Sequence, residues 1–297
     1  MELILGTAQL GMNYGVNNLD GKPSISEAFS ILDKAFHGGI RILDTALSYG
    51  DSERIIGEYM YYTNNHFKVA TKLPKLSYCD NIDDEVQMYI NKSLDNLRVK
   101  MIDYYFFHNF HDFKNNIEIM NILKMNQKRG KVLNIGVSLY DVEELDFILN
   151  KGNEFIDVVQ IPFNIFDLRW MENGLLERTK EKGIKIFVRS VYLQGLLFLN
   201  RISLDKIHPK AYFYVNKLSE FADKLNIDID ELAMQFVKLH SDIDYVLVGC
   251  ETVEQINRNI KKIYTDCTDK HALIKKFALN NYINIEKEII DPRLWGN

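Results

Sequence analysis

Short apolar runs rich in β-branched residues alternate along the chain with longer segments whose apolar residues recur at helical spacing. The short runs predict eight strands, at Leu3–Leu5, Arg41–Asp44, Lys68–Lys72, Tyr104–Phe107, Leu133–Val137, Val158–Ile161, Ile184–Val188 and Tyr245–Val248. The longer segments predict helices at Ser26–His37, Ser52–Tyr61, Asp84–Leu97, Ile117–Lys128, Val142–Leu149, Gly174–Lys182, Asp230–His240 and Val253–Ile263. Strands that alternate with helices pair in parallel through right-handed crossovers.

A parallel sheet either stays open or closes on itself, and eight strand-helix units without a break in topology favour closure. Runs such as Val158–Val159 and Val246–Val248 are apolar throughout, as strands buried on both faces require. No stretch rich in Gly, Pro or Ser divides the chain. We therefore predict an α/β fold, a (β/α)8 TIM barrel formed by residues 1–297 as a single domain.

Two segments depart from this regular pattern. After the seventh strand, Leu197 to about Lys217 predicts a long loop, a feature that in compact domains is usually functional or mobile. Near the start, Gly6–Gly11 matches the Gly-x-Gly-x-x-Gly dinucleotide fingerprint only loosely, and no clear helix is predicted after it. A dinucleotide bound here would not use the open-sheet fingerprint.

Composition and charge narrow the class of protein. Of 297 residues, 46% are hydrophobic and 26% charged, with 16 Gly and 5 Pro, which is typical of a folded protein. The net charge of −5 argues against nucleic acid or an anionic membrane as a partner. Three scattered cysteines, Cys79, Cys250 and Cys267, form no Cys-x-x-Cys pair, which argues against a disulfide framework or a zinc site.

The chain shows no signal for a membrane or for export. No apolar run approaches the roughly 18 residues of a membrane-spanning helix. The first residues, Met1–Gly6, have no basic region or long apolar stretch. We expect a protein that is neither secreted nor membrane-bound, located in a reducing cytoplasm and holding no metal.

Reactive groups of a TIM barrel lie at the carboxyl ends of the strands and in the loops that follow. Four polar residues hold such positions: Asp44, Tyr49, Lys72 and His108. Each has an ordinary alternative role, Asp44 as a helix cap, Lys72 as a solvated side chain, Tyr49 in packing and His108 as a core histidine. Together, a carboxylate, an ammonium and a phenol at one barrel mouth form a proton-donor relay, in which the ammonium lowers the Tyr49 pKa from about 10.

A resemblance to a known family starts at Asp44. The segment Asp44–Glu53 reads DTALSYGDSE and is followed by Gly57, which resembles the D-x-A-x-x-Y-G-x-S-E-x-x-x-G signature of the aldo-keto reductases. The match continues through Ala70–Lys72, Asp103–Tyr105 with His108, Gly136–Ser138 and Gly249–Asn259. The last of these segments resembles the branch that includes potassium-channel beta subunits.

The resemblance implies a TIM-barrel oxidoreductase that uses a nicotinamide cofactor and reduces a small aldehyde or ketone, such as a sugar-like or aromatic carbonyl compound, to an alcohol. Tyr49 then protonates the carbonyl oxygen as hydride arrives. Lys72, paired with Asp44, lowers the Tyr49 pKa, and His108 hydrogen-bonds and orients the substrate.

The resemblance also implies which residues bind the cofactor. Ser138 and Gln160 correspond to residues that hold the nicotinamide carboxamide, although Leu139 stands where a polar residue is usual. Ser190–Leu196 resembles the S-P-L-x-x-G-L loop that wraps the pyrophosphate with backbone N–H groups, without its Pro. The full predicted set is Gly6, Thr7, Asp44, Ser138, Gln160, Arg189, Ser190, Val191, Leu193, Gly195, Leu196, Gly249, Glu251, Thr252, Gln255 and Asn259.

Two members of this set depart from the family pattern. Arg189 stands where many relatives place an aromatic residue against the nicotinamide ring, and a guanidinium either stacks there or turns outward to a loop carboxylate. Glu251 stands where relatives that prefer NADPH carry Ser, Lys or Arg, and its carboxylate would repel a 2′-phosphate. Thr252 and Arg258 could still hold that phosphate. NADP (NADPH) is the expected cofactor, with NAD the alternative because of Glu251.

Substrate choice is expected to depend on side chains around the mouth. The candidates are Asn13, Tyr14, Phe110, Trp170, Tyr192 and the tail Arg293–Trp295, with Arg169, Arg201 and Lys210 as candidates for holding a substrate phosphate. Two other functions stay open: a regulatory barrel that binds cofactor with little turnover, and an aldolase or lyase in which Lys72 forms a Schiff base. The four candidate catalytic residues together favour the reductase.

Overall fold

The computed structural model describes residues 1–18, 21–77 and 81–295. Within these ranges, eight parallel strands close into a barrel in chain order, and the last pairs with the first. The strands are β1 Glu2–Gly6, β2 Ile42–Asp44, β3 Lys68–Leu73, β4 Ile102–Phe107, β5 Val132–Ser138, β6 Val158–Pro162, β7 Lys185–Arg189 and β8 Tyr245–Gly249. The predicted (β/α)8 TIM barrel is confirmed.

Helices follow the strands around the outside of the barrel. They are α1 Ala8–Gly11, α2 Ile25–His37, α3 Ser52–Thr63, α4 Ile82–Leu97, α5 Phe110–Asn115, α6 Ile117–Lys128, α7 Val142–Phe147, α8 Leu175–Glu181, α9 Arg201–Ile207, α10 Ala211–Leu225, α11 Ile229–Lys238, α12 Val253–Tyr264, α13 His271–Asn281 and α14 Lys287–Ile290. Every strand and helix predicted from the sequence is present, with ends displaced by at most two residues.

The strands divide their side chains between two cores. Alternate residues such as Ile4, Ile42 and Phe187 pack together inside the barrel. Their neighbours along the strands, such as Leu5 and Leu43, pack outward against the helices. Because side chains alternate between the two faces of a strand, strands such as β6, buried on both sides, read as nearly continuous apolar runs.

The predicted long loop after the seventh strand is wrong. The segment from Leu197 to Lys217 contains α9 and the first half of α10. In α10, Ala211, Val215 and Leu218 are buried on one face at helical spacing, while Phe213 is 58% exposed. The run Tyr212–Tyr214 hid this periodicity because its aromatic side chains look apolar whichever way they face.

After Gly6–Gly11 the next helix begins only at Ile25, but the segment itself contains the short helix α1, Ala8–Gly11, which was not predicted. Four residues are too few to produce a periodic signal. The helices α5, α9, α10, α13 and α14 were not predicted either. All of these additions lie between or after the predicted elements and leave the strand order unchanged.

Cys250 and Cys267 are free, buried thiols, and Cys79 lies outside the described residues. Among the helices described here, none combines the length and the apolarity needed to cross a bilayer. Over the same residues, no group of three or more His, Cys, Asp or Glu side chains is arranged to hold a metal ion.

Candidate active site

Several polar side chains at inward-facing strand positions lie at the carboxyl end of the barrel. Ile42 and Ala70 pack inside the barrel, and two residues further along the same strands are Asp44 and Lys72. Strand periodicity therefore turns these two side chains toward the mouth. On β6 the same spacing brings Gln160 to the same region, where its amide meets Asp44.

A buried ion pair forms the floor of the site. Lys72 Nζ donates to Asp44 Oδ1 at 2.5 Å and to the Thr45 carbonyl at 2.9 Å. The other carboxylate oxygen, Oδ2, accepts from Gln160 Nε2 at 2.7 Å. The side chains of Lys72 and Asp44 are only 2% and 5% exposed. Both charges are thus paired and hydrogen-bonded, which is the condition for tolerating them in a protein interior.

Tyr49 lies beside this pair, in the loop between β2 and α3. The centroid of its ring is 5.0 Å from Lys72 Nζ. The His108 ring meets the Tyr49 ring edge to face, with centroids 6.3 Å apart. The four residues predicted to be catalytic therefore converge on one end of the barrel.

The Tyr49 loop is held against the first helix by close backbone packing. A Cβ atom on Gly11, at the end of α1, would lie 1.8 Å from the Tyr49 carbonyl oxygen. Ser52 Oγ donates to the Thr7 carbonyl at 2.9 Å and accepts from Thr45 Oγ1 at 3.0 Å. The loop that carries the phenol is therefore fixed to the ends of β1 and β2.

Two other signature residues, Glu53 and Gly57, join elements outside the cavity. The Glu53 carboxylate accepts from Thr71 Oγ1 at 2.7 Å and from Asn96 Nδ2 at 3.0 Å, and is buried. A Cβ atom on Gly57 would lie 2.1 Å from the Asn96 carbonyl oxygen, so α3 and α4 approach closely there. These residues therefore tie α3 to β3 and α4.

Burial controls the acidity of Tyr49. It raises the pKa of the phenol above its ordinary value, and this outweighs Lys72 and Arg189, which lower the pKa. Asp44 raises it further. The expectation of a lowered Tyr49 pKa is therefore wrong. It included the effect of the Lys72 ammonium but not the larger effect of removing water from around the phenol.

The same environment fixes the charges of two neighbours. Burial acts to lower the pKa of Lys72, but Asp44 and Tyr49 oppose it and the net shift is upward, so the side chain stays an ammonium. Burial, Lys72 and Arg189 lower the pKa of His108 to about 4. At neutral pH His108 is therefore an uncharged imidazole that can donate one hydrogen bond and accept another.

A cavity of about 400 Å³ opens at this end of the barrel, with Asp44, Tyr49 and Gln160 in its wall. It continues along the ends of β7 and β8 to the first turns of α12, where Glu251, Gln255, Arg258 and Asn259 line it. The cavity thus joins the predicted catalytic residues to α12.

Comparison with known proteins identifies the family. The model of the aldo/keto reductase family matches residues 2–276. The chain belongs to the aldo/keto reductase family. The match covers the barrel from β1 into α13 and includes the Asp44–Gly57 signature, so membership in this family of oxidoreductases rests on nearly the whole chain.

Individual relatives agree with this assignment. The NADH-specific methylglyoxal reductase of Escherichia coli is 26% identical, over 82% of this chain and 84% of its own length. The aryl-alcohol dehydrogenase [NADP(+)] of Phanerodontia chrysosporium is 29% identical over 61% of this chain and 52% of its own. An aldo-keto reductase from Bacillus halodurans, in its holo form, shares the fold with a TM-score of 0.75 at 21% identity, over 97% of this chain and 95% of its own.

Most residues predicted from the aldo/keto reductase pattern to bind cofactor line the cavity. They are Gly6, Thr7, Asp44, Gln160, Arg189, Ser190, Val191, Gly195, Gly249, Glu251, Gln255 and Asn259. Four do not line it. Ser138 is buried beside Gln160, Leu193 and Leu196 pack into the core, and Thr252 caps α12 by accepting from the backbone of Gln255.

Arg189 does not turn outward to a carboxylate, since no ion pair among the described residues includes it. Its guanidinium lies 4.1 Å from the centroid of the Tyr140 ring and donates to the Leu139 carbonyl at 3.0 Å. Arg189 is thus held by the backbone of Leu139 and the ring of Tyr140.

The predicted mouth residues separate into two groups. Tyr14 and Tyr192 line the cavity, and the Tyr192 hydroxyl donates to Asn259 Oδ1 at 3.0 Å. Trp170 is fully buried in the core, so its assignment to the mouth is wrong. Phe110 packs against other aromatic rings outside the cavity lining.

The basic residues proposed to hold a substrate phosphate are already paired with carboxylates. Arg169 binds Asp167 and Asp141, Arg201 lies 3.5 Å from Asp205, and Lys210 pairs with Glu286. Their positive charge is compensated, and none lines the cavity.

Some residues that line the cavity were not predicted from the sequence. Gln194 Nε2 donates to the Tyr14 hydroxyl at 3.0 Å and so links two loops across the cavity. Asp230 and Lys262 form an ion pair in the lining near α12. Gln194 could have been predicted, because it lies within the Ser190–Leu196 loop that matches the family pattern. Asp230 and Lys262 could not, because nothing in their spacing along the chain indicates that α11 and α12 bring them together.

Proposed function

We propose that this protein reduces a small aldehyde or ketone to the alcohol with a nicotinamide cofactor, and that Tyr49 is the general acid. The observation that carries the proposal is the phenol of Tyr49 in the cavity wall, backed by the buried Lys72–Asp44 pair and flanked by neutral His108. Family membership supplies the reaction class. The relatives named above act on carbonyl or alcohol compounds by their own names.

Burial favours the protonated form of the Tyr49 phenol. Because its pKa is raised, the phenol is protonated at neutral pH and can give its proton to a carbonyl oxygen. The phenolate that results lies next to the Lys72 ammonium. The attraction between them grows as the proton leaves, so Lys72 stabilises the transition state more than the ground state.

His108 assists as an uncharged hydrogen-bond donor. With its pKa near 4, it holds one ring proton at neutral pH and can donate it to the substrate oxygen that also faces Tyr49. A second donor beside the Tyr49 hydroxyl would stabilise the negative charge that develops on the carbonyl oxygen. The two donors together would also orient the carbonyl for attack.

The residues around the cavity fit a dinucleotide. When bound, the nicotinamide supplies the hydride. Gln160 uses its Nε2 on Asp44, which leaves its carbonyl oxygen to accept from a carboxamide. Leu193, Gln194 and Gly195 have φ values of 46°, 54° and 96° and form a sharp turn in which the Leu193 and Gly195 N–H groups donate to the Ser190 and Tyr192 carbonyls. We propose that this loop, which places Ser190, Val191 and Gly195 in the cavity wall, lies along the pyrophosphate.

The adenosine end would then lie against α12. Glu251, Gln255 and Arg258 line the cavity there, and the Thr252 hydroxyl is engaged as the helix cap. We propose that the Glu251 carboxylate accepts from the ribose and disfavours a 2′-phosphate, so that NADH is preferred over the NADPH expected from the resemblance. Arg258 is the residue that would favour NADPH.

A substrate screen with the Tyr49→Phe variant tests the reaction. Wild type should oxidise NADH or NADPH in the presence of small aldehydes or ketones, and Tyr49→Phe should lower kcat by roughly 10²- to 10⁴-fold with the cofactor Kd unchanged. Tyr61→Phe, at a 66% exposed tyrosine, is the matched control. Cofactor binding without turnover of any carbonyl would favour the regulatory barrel, and undiminished activity of Tyr49→Phe would remove the proposed acid.

A further inference from the structure

We infer that Arg189 selects substrates that carry an oxyanion, a carboxylate or a phosphate, in addition to the reacting carbonyl. The inference rests on the proposed reductase function and specifies its substrate class. It starts from the position of Arg189 at the end of β7, in the wall of the cavity that also holds Tyr49 and Asp44.

The charge of Arg189 is uncompensated, unlike that of nearby cations. Lys72 is paired with Asp44, and Lys262 with Asp230. Arg293 lies on the same Tyr140 ring, 3.7 Å from its centroid, and is paired with Asp291. Among the described residues, Arg189 makes no such pair.

The guanidinium has donors left for a ligand. Nη2 donates to the Leu139 carbonyl at 3.0 Å and Nη1 to Ser190 Oγ at 3.2 Å. An arginine has five N–H donors, and a planar pair of them matches a carboxylate or phosphate in bidentate geometry. Contact with the Tyr140 ring holds the group in place without neutralising it.

The positive charge of Arg189 lies close to the proposed reaction centre. Arg189 lowers the pKa of both His108 and Tyr49, so its guanidinium lies within electrostatic reach of both rings. Glu251 and Arg258, at the other end of the cavity, belong to the loop and helix after β8. An anion bound by Arg189 would therefore be part of the molecule that presents its carbonyl to Tyr49.

Matched substrates that differ in charge test this inference. 4-Carboxybenzaldehyde and 4-formylbenzamide form the carboxylate pair, and glyceraldehyde 3-phosphate and glyceraldehyde form the phosphate pair. Wild type should favour the charged member of at least one pair by roughly tenfold or more in kcat/KM, the size expected of hydrogen bonds to a charged group. The pair that shows the preference identifies the oxyanion.

Arg189→Met should bring that ratio close to one, mainly by raising KM for the charged substrate, and Arg189→Lys should retain part of the preference. Arg178→Met, at a surface residue paired with Asp146, should behave as wild type. If Arg189→Met does not fold, Arg189→Lys and competition in wild type by the oxyanion of the preferred pair, benzoate against benzamide or inorganic phosphate against glycerol, give the answer.

Two results would contradict the inference. Wild type could turn over the charged and neutral members of both pairs equally, or Arg189→Met could weaken cofactor binding and both substrates alike, as expected of a nicotinamide-stacking residue. Each of these leaves the reductase function standing. Absence of any turnover that depends on Tyr49 would instead overturn the reductase function, and the substrate class with it.

Discussion

The ammonium of Lys72 lies 2.5 Å from the Asp44 carboxylate, and both side chains are almost completely shielded from water. The second carboxylate oxygen of Asp44 accepts a hydrogen bond from Gln160 Nε2. The pair therefore has a structural consequence besides its proposed part in proton transfer. Removing one partner leaves the other charged in a place where it cannot be hydrated.

Lys72→Met should lower the free energy of unfolding by about 3–5 kcal/mol, because the Asp44 carboxylate is left buried and uncompensated. Urea denaturation at pH 7.5 measures the change. Arg178→Met breaks an exposed pair with Asp146 and should cost at most about 1 kcal/mol. The double variant Lys72→Met/Asp44→Asn should recover part of the loss. If Lys72→Met and Arg178→Met lower the free energy of unfolding by equally small amounts, the Asp44 carboxylate does not depend on Lys72 for its burial.

Gly11→Ala should reduce kcat by moving the Tyr49 loop. Its Cβ would lie 1.8 Å from the Tyr49 carbonyl oxygen, so the loop that carries the phenol must shift. A displacement of about 1 Å at a catalytic group lowers rates by as much as 10²-fold. Steady-state kinetics with the best carbonyl substrate measures it.

Gly57→Ala is the matched control for this prediction. Its Cβ would clash as severely, at 2.1 Å from the Asn96 carbonyl oxygen, but between α3 and α4. Both variants should lower Tm, whereas only Gly11→Ala should lower kcat of the folded protein. A normal kcat for folded Gly11→Ala would mean that the loop can shift without moving the Tyr49 hydroxyl.

The sequence was sufficient to predict the barrel because strand and helix periodicities repeat locally. The same periodicity placed Asp44 and Lys72 at the mouth, since each lies two residues beyond an inward-packed position. Short or aromatic-rich helices escaped prediction. Helix α1 has too few residues for a pattern, and Tyr212–Tyr214 hid the buried stripe of α10.

The energetic balance of the site could not be predicted from residue types. Pairing of Tyr49 with Lys72 indicated a lowered phenol pKa, but the degree of burial depends on the packing of several distant segments and reverses the net shift. The Asp230–Lys262 pair and the contact of Arg189 with Tyr140 likewise join residues far apart in sequence. A single sequence read by itself holds no signal for such pairs.

Stability should fall as the pH drops from about 6.5 to 4, partly because of His240. Burial lowers the pKa of His240 to about 4, so the folded state binds fewer protons than the unfolded chain in this range. The stabilisation is complete above pH 6.5 and is lost as the pH falls toward 4. His108 contributes in the same direction.

His240→Leu should make this decline shallower, as measured by urea denaturation at several pH values. The ring of His240 packs 4.9 Å from that of Phe163 and 5.3 Å from that of Phe236, so an apolar side chain suits the site. At pH 7.5 the variant and wild type should differ only by the change in packing. An unchanged slope between pH 6.5 and 4 would show that His240 is not held neutral by the fold.

Glu251→Ser should shift the cofactor preference toward NADPH. Glu251 lines the cavity where the adenosine ribose is proposed to lie, and its carboxylate would repel a 2′-phosphate. Removing the charge should raise the ratio of kcat/KM for NADPH over NADH by about tenfold, equivalent to about 1.4 kcal/mol. Glu254→Ser, at an exposed glutamate one residue into α12, is the control and should leave the ratio unchanged.

If both variants change the ratio equally, the effect belongs to the overall charge of this surface and not to a contact between Glu251 and the ribose. If neither changes it, Glu251 does not contact the adenosine ribose and the cofactor preference is set elsewhere, with Arg258→Ala as the next variant to measure.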